Sequence, residues 1–161
     1  MLDVGCGRGD LLSYLEKTGR APAQYCGVEL LPEIAKYARD NHAGATVLVG
    51  DLSGVDAPPV DYAVSSGMFN LMIANHDEWM KRTLARMWSL ARHGVAFNVI
   101  SERAPEHRAG QYYAKPDYWL AWCQSLTPYV VLRHDYAIHD MTFFLFRRAV
   151  SIHATTGDGT F

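Results

Sequence analysis

A chain of 161 residues, 49% hydrophobic and 20% charged, has the size and apolar content of one domain that buries its own core. A formal net charge of −2 excludes the global basic field of a nonspecific nucleic-acid binder, no apolar run approaches the roughly 18 residues of a membrane span, and the start lacks the pattern of a signal peptide. Cys6, Cys26 and Cys123 have the spacing of neither a zinc site nor a disulfide framework, which points to free structural thiols in a cytoplasmic protein.

Met1 to Val4 is an apolar run that reads as a buried parallel strand. It breaks into Gly5, Gly7 and Gly9 and resumes from Asp10 to Lys17 as an amphipathic helix with Leu11, Leu12 and Leu15 on one stripe and Gly19 as its stop. Alternate glycines let the backbone turn sharply and approach a ligand, and the helix that follows offers unpaired N–H groups at its first turn. The dinucleotide fingerprint G-x-G-x-x-G would require glycine at position 10, where this chain has Asp10.

Tyr25 to Leu30 reads as the second strand, ending at Glu29, where an ionised carboxylate can accept from both hydroxyls of a ribose. Pro32 opens a helix carried by Ile34, Ala35 and Ala38 and broken by Asn41 and Gly44. Ala45 to Val49 is the third strand, followed by Gly50-Asp51-Leu52, and Val60 to Ser66 is the fourth, running into Gly67-Met68-Phe69-Asn70. His76 to Arg92 has helical spacing, with Met80, Leu84, Met87, Trp88 and Ala91 inward, Asn75 and Asp77 as capping residues and Gly94 as the stop. Val95 to Ile100 is the fifth strand, and Ser101 to Lys115 is an irregular stretch suited to a binding loop. Pro116 opens a last helix through Leu126, with Trp119, Leu120 and Cys123 inward. Tyr129 to Tyr136 and Met141 to Arg148 form a hairpin about His139-Asp140, with Phe144 and Phe146 on one side. Residues 151–161 read as a frayed tail beyond a single domain over 1–150.

Leu2 to Gly9, an acidic residue followed by V-G-C-G-x-G, resembles motif I of the class I S-adenosylmethionine-dependent methyltransferases, and Glu29 and Asp51 follow at the family's next landmarks. The resemblance implies an α/β, Rossmann-like, doubly wound and mostly parallel sheet in the order 3-2-1-4-5-7-6 with an antiparallel C-terminal hairpin. It implies S-adenosylmethionine as cofactor, held by Asp3, Gly5, Cys6, Gly7, Gly9, Glu29, Leu30, Asp51, Leu52 and Ser66, with Asp51 accepting from the adenine amino group and its neighbour packing on the ring. The family ordinarily places covering helices ahead of its first strand. Their absence before Met1 implies an exposed face, with self-association into a homo-oligomer or weak turnover as its consequence.

Methyl transfer from a sulfonium is an in-line displacement in which alignment of the nucleophile supplies much of the rate. The polar groups expected at the mouth are Ser66, Asn70, His76, Tyr112 and Tyr113, of which Asn70, Tyr112 and Tyr113 are assigned to the acceptor and none stands out as a base. His76 reads as a helix-entry residue, and no H-x₃-H or C-x₂-C spacing suggests a metal. The function read from the chain is methyl transfer to a small molecule, with a protein acceptor as a further option. The competing readings are a cofactor-binding module without turnover and a dinucleotide-dependent oxidoreductase, the latter opposed by Asp10.

Overall fold

The strand Leu2–Val4 (β1) is buried along its whole length, as a run of this composition must be at the centre of a parallel sheet. In the computed structural model, which describes residues 1–150, it is followed by helix Asp10–Lys17 (α1), strand Cys26–Glu29 (β2), helix Pro32–Asn41 (α2) and strand Thr46–Val49 (β3). Leu2 lies opposite Cys26 on one side and Ala63 on the other, because the next strand, Val60–Ser65 (β4), returns to the free edge of β1. Strand progression therefore reverses between β1 and β4, the place where open α/β sheets bind ligands.

Helix His76–Leu90 (α3), strand Ala91–Ile100 (β5), helix Pro116–Leu126 (α4) and strands Val130–Arg133 (β6) and Asp140–Phe146 (β7) complete the domain. The strand order is β3-β2-β1-β4-β5-β7-β6, with β7 antiparallel to both β5 and β6. This is the order that the resemblance implied.

Alternation along the strands divides the interior into two layers. Leu2, Val4, Val95, Phe97, Val99, Phe143 and Leu145 join Met80, Leu84 and Met87 of α3 and Trp119 of α4 in the larger core. On the opposite face Cys6 and Tyr25 pack with Leu12 of α1 and Ala35 and Ala38 of α2. The helices of that second layer cover β1, β2 and β3. Beyond β1 the same face continues over Tyr62, Val64, Ala96, Phe144 and Phe146, which line a groove of about 1180 Å³ at the amino ends of the strands. Among the described residues no helix is long and apolar enough to cross a membrane.

Several local expectations change. Gly94 does not stop α3, which ends at Leu90 and passes directly into β5 at Ala91. Arg147 serves that end instead, donating to the carbonyls of Trp88 and Ala91 while its guanidinium lies 3.9 Å from the Trp88 ring centroid. Gly94 is needed within the strand, where a Cβ would meet the Leu145 carbonyl oxygen at 2.5 Å. Asn75 stands at the head of α3 with φ of 54° but makes no side-chain cap. Phe144 and Phe146 do share one side of β7, the grooved face, while Met141, Phe143 and Leu145 fill the core. The expected tail, 151–161, lies outside the described residues.

Candidate functional site

The turn after β1 is wedged rather than merely flexible. Gly5, at φ of 73°, would place a Cβ 2.8 Å from the Met68 sulfur, so the side chain arriving from the end of β4 requires a bare backbone there. A Cβ on Gly7, at φ of 56°, would meet nothing within 4 Å, which leaves open space over the middle of the turn. The amides of Gly5 and Cys6 both donate to the Val28 carbonyl, at 2.8 and 3.1 Å, pinning the turn to β2. Helix α1 then begins without a side-chain cap, so its first-turn N–H groups remain available.

Glu29 ends β2 beside that open space. Its Oε2 accepts the Gly7 amide at 3.1 Å and its Oε1 accepts the Leu31 amide at 2.9 Å, which fixes the carboxylate while leaving further lone pairs for a ligand. Leu30 beside it is exposed, at 64%. At the end of β3, Asp51 accepts the Ser53 amide at 2.8 Å and the Ser53 hydroxyl, and these bonds hold its carboxyl below the usual carboxylate range. Leu52 turns inward at 2% exposure and packs in the larger core, whereas Ser66 is exposed just past β4.

Under the turn lies a group of buried titratable side chains. Asp3 is 2% exposed and accepts the Tyr25 hydroxyl at 2.7 Å; burial raises its carboxyl to about 6 despite that hydrogen bond. Burial, with the nearby carboxylates of Asp3 and Glu29, pushes the Cys6 thiol up to about 12 and so favours its neutral form. Tyr25 was not singled out by the sequence, because its partner lies on the neighbouring strand.

On the other side of β1, residues 67–73 and 101–114 are joined into one wall. Asn70 accepts the Ile100 amide through Oδ1 at 3.1 Å and the Tyr112 amide through its carbonyl at 3.0 Å, and Met72 donates its amide to the Gly110 carbonyl at 2.9 Å. The two tyrosines grouped from sequence point to different places. Tyr112 is buried, donating to Asp77 at 2.6 Å, accepting from the Trp119 indole at 2.8 Å and stacking on His76 at 3.8 Å between ring centroids. Tyr113 stacks on His107 and lines a pocket of about 270 Å³ with Ile100, Arg108 and His139. Burial lowers the pKa of His76, consistent with a neutral core imidazole at the helix entry. Leu71, Met72 and Ile73 remain exposed on the rim. Among the described residues no group of three His, Cys, Asp or Glu side chains could hold a metal ion.

Residues 1–94 match a protein family described as "Methyltransferase domain". A Mycobacterium tuberculosis protein that bears a provisional methyltransferase name is 32% identical over 153 residues, covering 89% of this chain and 90% of the relative. The malonyl-[acyl-carrier protein] O-methyltransferase of Pectobacterium atrosepticum is 30% identical over 104 residues, 63% of this chain and 39% of that protein. The fold is similar to that of magnesium protoporphyrin IX methyltransferase from Synechocystis, solved with bound S-adenosylhomocysteine, with a TM-score of 0.69 at 13% identity over 91% of this chain and 73% of the other. Human N-acetylserotonin methyltransferase in complex with S-adenosylmethionine gives 0.68 at 14% identity over 93% and 47%.

Proposed function

Since the chain belongs to the class I S-adenosylmethionine-dependent methyltransferases, we propose that it methylates a small-molecule acceptor held where β1 and β4 end. The observation that carries this reading is the convergence of the Gly7 backbone and the Glu29 carboxylate on one open space at the reversal of strand order. The residues fit the cofactor: bare backbone at Gly7 leaves room for it to approach closely, Gly5 and Gly9 let the turn pack tightly on Met68 and His42 behind it, Glu29 offers free lone pairs to its ribose, and Asp51 offers an ionised acceptor to its adenine amino group. Leu30 lies beside Glu29 to pack on the base. Asp3 and Cys6 support the turn from below, Leu52 anchors the segment carrying Asp51, and Ser66 stands at the mouth. When bound, S-adenosylmethionine supplies a methyl group on a positively charged sulfur.

The chain's own residues have then to align the acceptor and exclude water. We assign Asn70 and Tyr113 to the acceptor side, with Tyr112 propping the wall from behind. A small-molecule acceptor is supported by the modest pocket beside Tyr113 and by the substrates named for two fold neighbours, magnesium protoporphyrin IX and N-acetylserotonin. Titration calorimetry with S-adenosylhomocysteine and NAD, followed by labelled-methyl transfer in a cell extract, tests the reading. Binding of the first ligand but not the second, with label in the metabolite fraction, is the expected result. Label confined to protein overturns the acceptor class, and tight cofactor binding with no transfer favours a module without turnover.

A further inference from the structure

The imidazole of His42 packs against the last glycine of the turn, and the reaction assigned above makes no use of it. His42 is the residue that ends α2, yet its side chain is buried and reaches across to α1, where Ser13 and Glu16 stand about one turn apart on the facing side. Nδ1 lies 3.1 Å from Glu16 Oε2 and Nε2 lies 3.3 Å from Ser13 Oγ. With the Nδ1 proton donated to the carboxylate, Nε2 is left to accept from the Ser13 hydroxyl. Gly9, at φ of 84°, would place a Cβ 2.7 Å from Nε2 and 2.8 Å from Cδ2, and its carbonyl accepts the Ser13 amide at 2.9 Å. One ring therefore touches both the point where the turn becomes a helix and the first turn of that helix.

We propose that His42 is a positioning residue for the cofactor turn, acting through Gly9 and Ser13 and not by touching the cofactor. The inference rests on the reading of Gly5 to Gly9 as the S-adenosylmethionine site. The free N–H groups at the start of α1 bind only where they are aimed, and a helix start held by a neighbouring helix keeps its aim.

Three variants separate positioning from bulk packing. His42→Gln carries a polar group far enough to meet Ser13 and fill space beside Gly9, His42→Asn reaches only the level of Nδ1 and Glu16, and His42→Ala does neither. Two readouts are taken: hydrogen exchange across residues 5–13 in the free protein, and S-adenosylhomocysteine affinity by calorimetry. His42→Ala is expected to speed exchange across that segment and weaken binding about tenfold, with His42→Asn close to it and His42→Gln within about threefold of the parent on both. Unchanged exchange and affinity in His42→Ala overturn the proposal, as does equal rescue by Asn and Gln, which would mark general packing. If the parent protein fails to bind S-adenosylhomocysteine while His42→Ala still loosens residues 5–13, the control of the turn by His42 stands and the cofactor reading falls.

Discussion

Glu29 accepts the amide hydrogen of Gly7 at 3.1 Å, so the acid that ends β2 is fastened to the turn that ends β1. A ligand that engages Glu29 thereby also engages the turn. Replacing Glu29 by Ala removes a charged acceptor and one of the ties on the turn, and is expected to weaken S-adenosylhomocysteine binding about ten- to a hundredfold, or roughly 1.5–3 kcal/mol. Calorimetry on the folded variant is the check, and unchanged affinity would remove Glu29 from the site.

The buried carboxyl of Asp3 makes a pH-dependent contribution of definite sign. Its folded pKa of about 6 lies above the ordinary carboxylate value of 3.8, so the folded state holds the proton more tightly than the unfolded one. Stability is therefore greatest below the unfolded pKa and is lost as pH rises through about 6. Asp3→Asn keeps an acceptor for Tyr25 without the buried charge. It is expected to match the parent near pH 3.5 and to exceed it at pH 8 by an amount on the order of 2–3 kcal/mol. Urea titrations at the two pH values measure this, and a constant difference between the proteins would contradict it.

Met68 and Gly5 give a steric prediction. Gly5→Ala combines a left-handed backbone with a Cβ 2.8 Å from the Met68 sulfur, and is expected to cost about 2 kcal/mol or more. Met68→Ala in the same chain removes the contacts with Sδ and Cγ but leaves the Cβ at 2.9 Å and the backbone strain, so relief is partial. The double mutant should thus lose less stability than the two single changes added together, and strict additivity in chemical denaturation would refute the contact.

Much of this organisation is legible in the sequence because the signals are local. A buried run ending in three alternate glycines, proline at the first turn of α2 and α4, and the apolar stripe through Met80, Leu84 and Met87 each fix an element within a few neighbours. What could not be read there depends on partners brought by the fold. Gly94 is a plausible helix stop until Arg147, arriving at the far end of β7, is seen to hold that end of α3. Tyr112 and Tyr113 are adjacent in the chain, but Asp77 and Trp119 draw one hydroxyl inward while Gln111 and Arg108 hold the other at the pocket. His42 offers no signal at all, since its contact with Gly9 exists only after α1 and α2 have packed.

The separation of the two tyrosines can be tested directly. Tyr112→Phe leaves the Trp119 indole N–H without its partner in the core and is expected to lower stability by about 1–3 kcal/mol while leaving S-adenosylhomocysteine affinity unchanged. Tyr113→Ala is expected to leave the melting temperature within a few degrees of the parent, as surface-side changes do, and to raise KM for the acceptor once that is known. Denaturation and calorimetry decide the first case and steady-state kinetics the second; a large stability loss in Tyr113→Ala would recast it as scaffold.

The seam at Leu90 and Ala91, where a helix becomes a strand with no residue to spare, acts as a rigid coupling. At its other end α3 is moored to the wall of the mouth by Asp77 and Tyr112, so the helix works as a strut between the base of the sheet and its rim. On the proposed reading of the mouth, an acceptor would meet the exposed side chains of Leu71, Met72 and Ile73 in front of a helix tied at both ends.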